Sequence, residues 1–368
     1  GLYYRVCSVL FFLAFTYVFL LEKSYYLNHF YLISLLSFVM IFIPANRAFS
    51  LDARLNPSIQ AGQLPGWTLW LLRFMIAVPY FFGGVAKINP DWLQGEPMRL
   101  WLSDDTDFPL IGPYFTDERM IFFLSYSGLL LDLLIVPFLL WRRTRIVAFV
   151  SITLFHLMNS QLWTIGIFPW FMIAATTIFF DPNWFRKVVQ KLGSLKQYMP
   201  EFDINASMKM PSLFVRTILI SFILIQLYMP FRHHLFTGYV SWNELGHRYS
   251  WHMKLRSKSG SGFYVVKDLK TNQQLNIHPK DYLSKRQTFK MKTRPDMILQ
   301  FAHHLENKYK EDLQHDQIEV MAKFEAGLNG RKKQWLIDPT VDLTKITGLT
   351  PAKEWIMPLE QKDVRALK

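Results

Sequence analysis

Long apolar stretches fill the first two-thirds of the chain, and mixed polar and apolar patterns follow after about residue 235. A membrane helix needs roughly 20 mostly apolar residues. Seven stretches approach that requirement, near residues 6–21, 27–44, 66–87, 119–140, 146–162, 163–180 and 212–230. The pattern therefore predicts an α-helical polytopic membrane domain over residues 1–235. Because the chain begins on the edge of the first helix, we expect a further N-terminal segment before it.

Residues 236–368 have the pattern of a soluble domain with a mixed α/β, β-rich structure. Runs of strand character predict β-strands at 250–256, 262–267, 274–277, 317–325 and 333–337. Polar turn residues after 268 and after 327 predict two hairpins. An amphipathic helix is expected to begin at Pro295 and to end near Tyr309.

Charges in the short loops predict the orientation in the membrane. The loops at 141–145 and 181–211 are rich in Lys and Arg, whereas the loop at 88–118 carries seven acidic residues against Arg99. By the positive-inside rule the two basic loops face the cytoplasm. The chain from Phe231 onward is then extracytoplasmic. This orientation brings one group of polar side chains to a similar depth near the outer face: His29, Lys87, His156, Asn159 and His233.

Composition excludes several classes of function. The chain is 51% hydrophobic and only 19% charged, and its net charge of +13 comes from loops and the C-terminal domain. Membrane topology accounts for that charge, so no nucleic acid is expected as a partner. The single cysteine, Cys7, excludes an intrachain disulfide and a cysteine metal site.

Lys87 is the first candidate for chemistry, because it ends an apolar run and is followed by Ile88-Asn89-Pro90-Asp91-Trp92. One interpretation is an anchoring lysine that reaches to the membrane edge. The other is a base, since burial disfavours the ammonium form and a neutral amine can accept a proton. Gly83 and Gly84 leave room for another backbone or for a flat ligand.

The histidines are open to a similar choice. Each is either a satisfied core side chain or part of a site, and imidazole can also bind transition metals. No His or carboxylate pair at ligand spacing occurs on one helix, and His233 and His234 are expected to point in divergent directions. We therefore predict no metal. Aromatic residues such as Tyr80 and Phe168 suit either packing or a flat quinone-like ring.

Several motifs in order make the pattern specific. They are Asn28-His29-x-Tyr31, Gly84-x-x-Lys87-x-x-x-Asp91-Trp92, Phe155-His156-x-Met158-Asn159, Tyr249-Ser250-Trp251-x-Met253 and Asp338-Pro339-x-Val341-Asp342. Together they closely resemble the vitamin K-dependent γ-glutamyl carboxylase family and its prokaryotic relatives, the horizontally transferred transmembrane domain group. The resemblance covers nearly the whole chain.

The resemblance implies a peptidyl-glutamate 4-carboxylase of the carbon-carbon lyase class. Such an enzyme couples oxygenation of vitamin K hydroquinone by O2, which gives the epoxide, to addition of CO2 at the γ-carbon of Glu in a polypeptide. Its partners would be that polypeptide, the lipid bilayer and a quinone-reducing system. It implies that Lys87 is the base on the hydroquinone and that His29 shares this chemistry. The resemblance also implies that four residues support the quinol: Asn28, His156, Asn159 and His233. It implies that the region for the substrate Glu contains Trp242, His247, Tyr249 and Trp251.

Two departures from the vertebrate pattern leave alternatives open. The vertebrate disulfide cannot form with Cys7 alone, and His247 stands where vertebrate members have tyrosine. The chain could therefore be a quinol epoxidase or oxidase without carboxylation. A non-enzymatic membrane protein is the third hypothesis.

Overall fold

The computed structural model describes residues 1–61, 64–163, 165–181, 183–184, 188 and 211–360. The helices of these residues, in chain order, are α1 (Tyr4–Leu21), α2 (Asn28–Phe42), α3 (Leu51–Leu55), α4 (Gly66–Lys87), α5 (Pro90–Leu93), α6 (Met98–Leu102), α7 (Glu118–Leu140), α8 (Arg145–Leu162), α9 (Phe168–Thr176), α10 (Leu213–Tyr228), α11 (Val240–Asn243), α12 (Lys285–Met291) and α13 (Pro295–Leu313). The strands are β1 (Lys258–Asp268), β2 (Gln274–Ile277), β3 (Ile318–Leu328) and β4 (Gln334–Trp335).

The chain divides into two compact units. The membrane unit consists of Gly1–Glu22, Tyr26–Val85 and Gly128–Met229. The second unit consists of Lys23–Tyr25, Ala86–Ser127 and Pro230–Lys368. Residues 86–127, which the apolar pattern placed in the membrane domain, thus pack within the second unit, and Lys87 belongs to it.

A helix is present at each of the seven positions that the apolar runs predict. Among the described residues four helices are long and apolar enough to cross a bilayer: Tyr4–Leu21, Gly66–Lys87, Glu118–Leu140 and Leu213–Leu235. Helices α2 and α9 are apolar but shorter. Helix α8 has 18 residues, but its last two turns carry His156, Asn159 and Gln161, which lower its hydropathy. The basic side chains of the loop at 181–211 (Arg186, Lys187, Lys191, Lys196 and Lys209) lie outside the described residues.

Gly84 allows two membrane helices to pack closely. A Cβ built on Gly84 would lie 2.9 Å from the backbone nitrogen of Leu133 in α7 and 2.8 Å from its Cγ. Real Cβ atoms do not approach so closely, so only glycine fits at this crossing. The sequence left two alternatives for the space beside this glycine, another backbone or a flat ligand. A neighbouring backbone occupies that space.

The second unit is built on a four-stranded antiparallel sheet in the order β2-β1-β3-β4. Helix α13 packs on it through Ile298, Phe301, Ala302 and Leu305, whose spacing places them on one helical face. Tyr264 of β1 is fully buried in this core, and its hydroxyl donates to Ile298 O at 2.9 Å. Both predicted hairpins and the amphipathic helix are therefore confirmed.

The strand predicted at 250–256 is wrong. Tyr249, Trp251 and Lys254 have φ values of 65°, 58° and 49°, in the left-handed region that extended strands exclude. These residues instead form turns, a bend and irregular backbone. Strand β1 begins at Lys258, four residues before the predicted start at 262. Gly260 and Gly262 allow this extension because β3 approaches them closely: a Cβ on Gly262 would lie 2.3 Å from Lys323 O.

Candidate active site

Lys87 is buried at the last position of α4. The residue is 6% exposed, and its Nζ lies 5.3 Å from the centroid of the Trp92 ring. Asn89 holds the turn between them: its Nδ2 donates to Ala86 O at 2.9 Å, and its Oδ1 accepts from Trp92 N at 3.0 Å. The amine therefore packs against an aromatic face inside the second unit, whereas an anchoring lysine extends into water.

The helix that carries Trp92 is fixed by a buried ion pair. Asp91 accepts from Arg331 through both oxygens, at 2.9 Å from Nη1 and 2.6 Å from Nη2. Asn329 Nδ2 donates a third hydrogen bond to Asp91 at 2.7 Å. Trp92 Nε1 donates to Ser125 O at 2.9 Å. These contacts position the Trp92 ring against which Lys87 lies.

His156 is the centre of a polar chain within the membrane unit. It is 2% exposed, and its Nε2 lies 2.8 Å from the hydroxyl oxygen of Tyr80. That oxygen lies 3.3 Å from Thr176 Oγ1, which donates to Met172 O at 2.7 Å. Tyr80 thus ties the imidazole to helix α9 and fixes the plane of its ring.

His29 and His156 are brought together by the ring of Phe168. The Phe168 centroid lies 5.7 Å from His29 and 6.0 Å from His156. Asn28 begins α2, and its Oδ1 accepts from Tyr26 Oη at 3.0 Å. Helices α2, α8 and α9 therefore contribute to one aromatic and polar cluster inside an otherwise apolar unit.

Two buried polar atoms of α8 have no hydrogen-bond partner among the described residues. They are His156 Nδ1 and Asn159 Oδ1. Residues three apart lie on the same face of a helix, and an unmet buried polar atom costs about 1–3 kcal/mol. A flat ligand whose hydroxyl groups donate to Asn159 Oδ1 and hydrogen-bond with His156 Nδ1 would satisfy both atoms while its ring met Phe168. The residues present thus fit a quinol.

His233 lies in the second unit, in the 3₁₀-helix Met229–Leu235. Its Nδ1–H donates to Pro230 O at 2.8 Å, which leaves Nε2 as the other ring nitrogen. The ring centroids of His233 and His234 are 4.0 Å apart, so the expectation that these side chains diverge is wrong. The hydrogen bond to Pro230 O holds the His233 ring in the rotamer that places it beside His234. Among the described residues no three His, Cys, Asp or Glu side chains could hold a metal ion.

Two of the aromatic residues predicted for the substrate Glu region are core residues of the second unit. Trp242 is 2% exposed, belongs to the main hydrophobic cluster and donates from Nε1 to Met357 O at 2.7 Å. Trp251 is 1% exposed. Tyr249 is only half-buried, and the Arg232 guanidinium lies 5.5 Å from its ring centroid. The tryptophans pack, and Tyr249 is the more accessible member.

Glu244 lies at the centre of a cationic cluster, formed with His247, Arg256, Lys258 and Arg294. Arg256 donates to Glu244 Oε2 and contacts His247 Nε2, while Lys258 Nζ lies 3.6 Å from Glu244 Oε1. Burial lowers the pKa of Lys258 to about 7 and the pKa of Arg294 to about 10. Burial also lowers the pKa of His247 well below its usual value, with help from the Arg256 charge. The cluster therefore carries more positive than negative charge.

Tyr80, Arg331 and Arg294 were not predicted as residues of a site. Tyr80 stood only among the many aromatic residues, and Arg331 is 240 positions from Asp91 in the chain. One signal was available, since Tyr80 falls seven residues before Lys87, which is two turns along the same helix. No comparable signal connects Arg331 or Arg294 to their partners.

Two family models together cover most of the chain. Residues 1–184 of the 368 match the HTTM domain model. Residues 211–362 match the model described as the lumenal domain of vitamin K-dependent gamma-carboxylase. No solved structure gives a significant match.

Proposed function

The chain belongs to the vitamin K-dependent γ-glutamyl carboxylase family, and on this premise we propose that it couples epoxidation of vitamin K hydroquinone to γ-carboxylation of Glu in a polypeptide. It is a membrane protein with an extracytoplasmic C-terminal domain. The polypeptide substrate is therefore extracytoplasmic. A separate quinone-reducing system must regenerate the hydroquinone.

The burial of Lys87 carries this proposal. Lys87 is 6% exposed and packs on the Trp92 ring, so little water reaches its amine. An amine in its neutral form can accept a proton from a phenol-like hydroxyl, which requires a much weaker base than removing hydrogen from carbon. We assign Lys87 as the base on the hydroquinone.

The cluster of the membrane unit suits the holding of the ring. His156 Nδ1 and Asn159 Oδ1 offer hydrogen-bonding positions, and Phe168 and His29 offer flat faces. Asn28 sits one residue before His29 at the start of α2. When bound, vitamin K hydroquinone supplies with O2 the strong base that removes a γ-hydrogen of Glu, so that CO2 can add. We place His233 in a supporting role for the same quinol.

The cationic cluster around Glu244 suits an acidic polypeptide. Arg294 Nη1 is buried with no hydrogen-bond partner among the described residues. An incoming carboxylate would meet this group and balance the charge that Arg256 and Lys258 contribute. We propose that this cluster, which includes His247, receives the Glu-containing substrate together with Tyr249.

His247 favours a second candidate function. Vertebrate relatives have tyrosine at this position, whereas His247 is held by Arg256 and cannot act as a phenol. If that tyrosine is needed for the second half of the reaction, the chain would epoxidise the quinol without carboxylating Glu.

One assay separates the two candidates. Purified protein in lipid, given reduced vitamin K, 14CO2 and a Glu-containing peptide, is expected to form epoxide and labelled peptide together. A matched peptide with Gln for Glu should remain unlabelled. Epoxide without label in the Glu peptide would favour the epoxidase, and absence of both products would contradict the proposed function.

Tyr80→Phe is expected to slow epoxidation about 10-fold, equivalent to about 1.4 kcal/mol, because the His156 ring loses the bond that fixes its plane. Tyr31→Phe is the matched control: its buried hydroxyl donates to Gln226 Oε1 at 2.9 Å, away from His156. Both variants lose a buried hydrogen bond, so their melting temperatures should fall alike. Equal epoxidation rates in the two variants would show that Tyr80 does not position His156.

A further inference from the structure

Helix α12 presents an exposed aromatic ring surrounded by lysines. Phe289 is 59% exposed, with Lys290 Nζ at 5.7 Å and Lys292 Nζ at 5.3 Å from its ring centroid. Residues 285–292 contain four basic residues (Lys285, Arg286, Lys290 and Lys292) and no acidic one. Basic side chains beside an exposed phenylalanine suit a partner that is both anionic and apolar. We call Lys285, Phe289, Lys290 and Lys292 the basic aromatic face.

The position of α12 indicates what that partner is. The Arg286 guanidinium carbon lies 4.2 Å from the centroid of the Tyr25 ring, and Lys23 Nζ lies 3.5 Å from Asp296 Oδ2. Lys23–Tyr25 belong to the connection between α1 and α2, both apolar helices of the membrane unit. Tyr25 is four residues beyond the end of α1, so it lies within about 14 Å of that end. Helix α12 is therefore held close to a membrane boundary.

The helix before that connection is largely exposed. Only 6% of α1 is buried within the protein, and an exposed apolar helix of this length suits the hydrocarbon of a bilayer. Tyr25 is 49% exposed at the end of this helix, which is the usual place of a tyrosine in the headgroup region. Basic side chains close to an anionic lipid surface are attracted to it.

We propose that the basic aromatic face docks the second unit on the bilayer, with Phe289 at the boundary of headgroups and acyl chains and the lysines on phosphates of anionic phospholipids. We assign this face to lipid and not to an acidic polypeptide for two reasons. It has an exposed aromatic ring, and α12 contacts the connection between two apolar helices of the membrane unit. Docking would hold the substrate region of the second unit at a constant distance from the membrane.

A single label tests the proposal. In full-length protein carrying Cys7→Ser, Phe289→Cys is labelled with an environment-sensitive fluorophore and reconstituted in phosphatidylcholine vesicles with or without phosphatidylglycerol. Emission should shift to the blue and be quenched at least twofold by lipids with a nitroxide high on the acyl chain, more so with phosphatidylglycerol. Leu349→Cys, whose residue is 95% exposed in a turn of the same unit, is the matched control and should be neither shifted nor quenched.

Two further variants separate lipid binding from a local disturbance of α12 and from binding of an acidic polypeptide. Labelled Lys292→Cys keeps Phe289 in place and should report the same environment even if the Phe289 substitution disturbs the fold. Adding Lys290→Gln and Lys285→Gln should remove the response to phosphatidylglycerol. Identical emission from all labelled positions in both lipids would overturn the proposal. A response to a soluble polyglutamate peptide and not to phosphatidylglycerol would overturn it in favour of an acidic polypeptide.

Discussion

Lys87→Ala is expected to lower the rate of vitamin K epoxidation by about 100-fold to 10,000-fold, the usual contribution of a positioned base. The substitution removes the amine and leaves a space beside Trp92, because the side chain is buried against that ring. The measurement is epoxide formation from reduced vitamin K by the purified variant in lipid. Carboxylation of a Glu peptide should fall with it, since the second half of the reaction depends on the first.

Lys87→Arg and small amines make the test specific. Arginine keeps the positive charge but does not deprotonate in proteins, so Lys87→Arg should be as inactive as Lys87→Ala. Exogenous primary amines should partly restore Lys87→Ala, with rates that follow the amine pKa, and should not restore Lys87→Arg, whose side chain fills the space. Undiminished epoxidation in Lys87→Ala, with unchanged thermal stability, would show that another group is the base.

Local patterns were sufficient to predict the helices around Lys87. Helix α4 begins and ends as predicted, at Gly66 and Lys87, because Pro65 precedes it and Pro90 follows its end. The hairpins and α13 were predictable for the same reason, since turn residues and periodic apolar positions are local signals. The placement of Lys87 as the last residue of a membrane helix thus followed from the sequence.

Packing between distant segments was not predictable from one sequence. The contact of Asp91 with Arg331 joins residues 240 positions apart in the chain. The sequence around either residue contains no pattern that predicts the other as its partner. The left-handed residues Tyr249 and Trp251 broke the predicted strand, although nothing in their side chains requires that backbone. The polar chain from His156 to Thr176 likewise depends on how α4, α8 and α9 pack. The candidate residues could be named from sequence, but their hydrogen-bond partners could not.

The ion pair between Asp91 and Arg331 connects this distant packing to the base. It fixes the four-residue helix α5, which carries Trp92, to the turn after β3. Both side chains are nearly inaccessible, at 2% for Arg331 and 3% for Asp91. The orientation of the Trp92 ring against Lys87 therefore depends on a contact in the core of the second unit.

Asp91→Ala is expected to destabilise the protein by about 3–5 kcal/mol, because it removes the carboxylate that pairs with the buried Arg331 charge. The measurement is the guanidinium midpoint of the second unit's unfolding transition. Asp312→Ala is the matched control, because it breaks an exposed ion pair between Asp312 (side chain 50% exposed) and Lys308 (39% exposed). It should lower the stability by only about 0–1 kcal/mol.

A double substitution distinguishes the charge from the packing. Asp91→Leu combined with Arg331→Met removes both charges and keeps apolar volume, so it should recover most of the stability that Asp91→Ala loses. Epoxidation should be low in Asp91→Ala and should stay low in the double variant, because the bidentate contact that orients α5 and Trp92 is gone in both. Full recovery of both stability and epoxidation would mean that the ion pair has no part in positioning Lys87. Recovery of stability alone would separate the two roles of this contact, since the apolar pair restores the core but not the angle at which α5 holds Trp92.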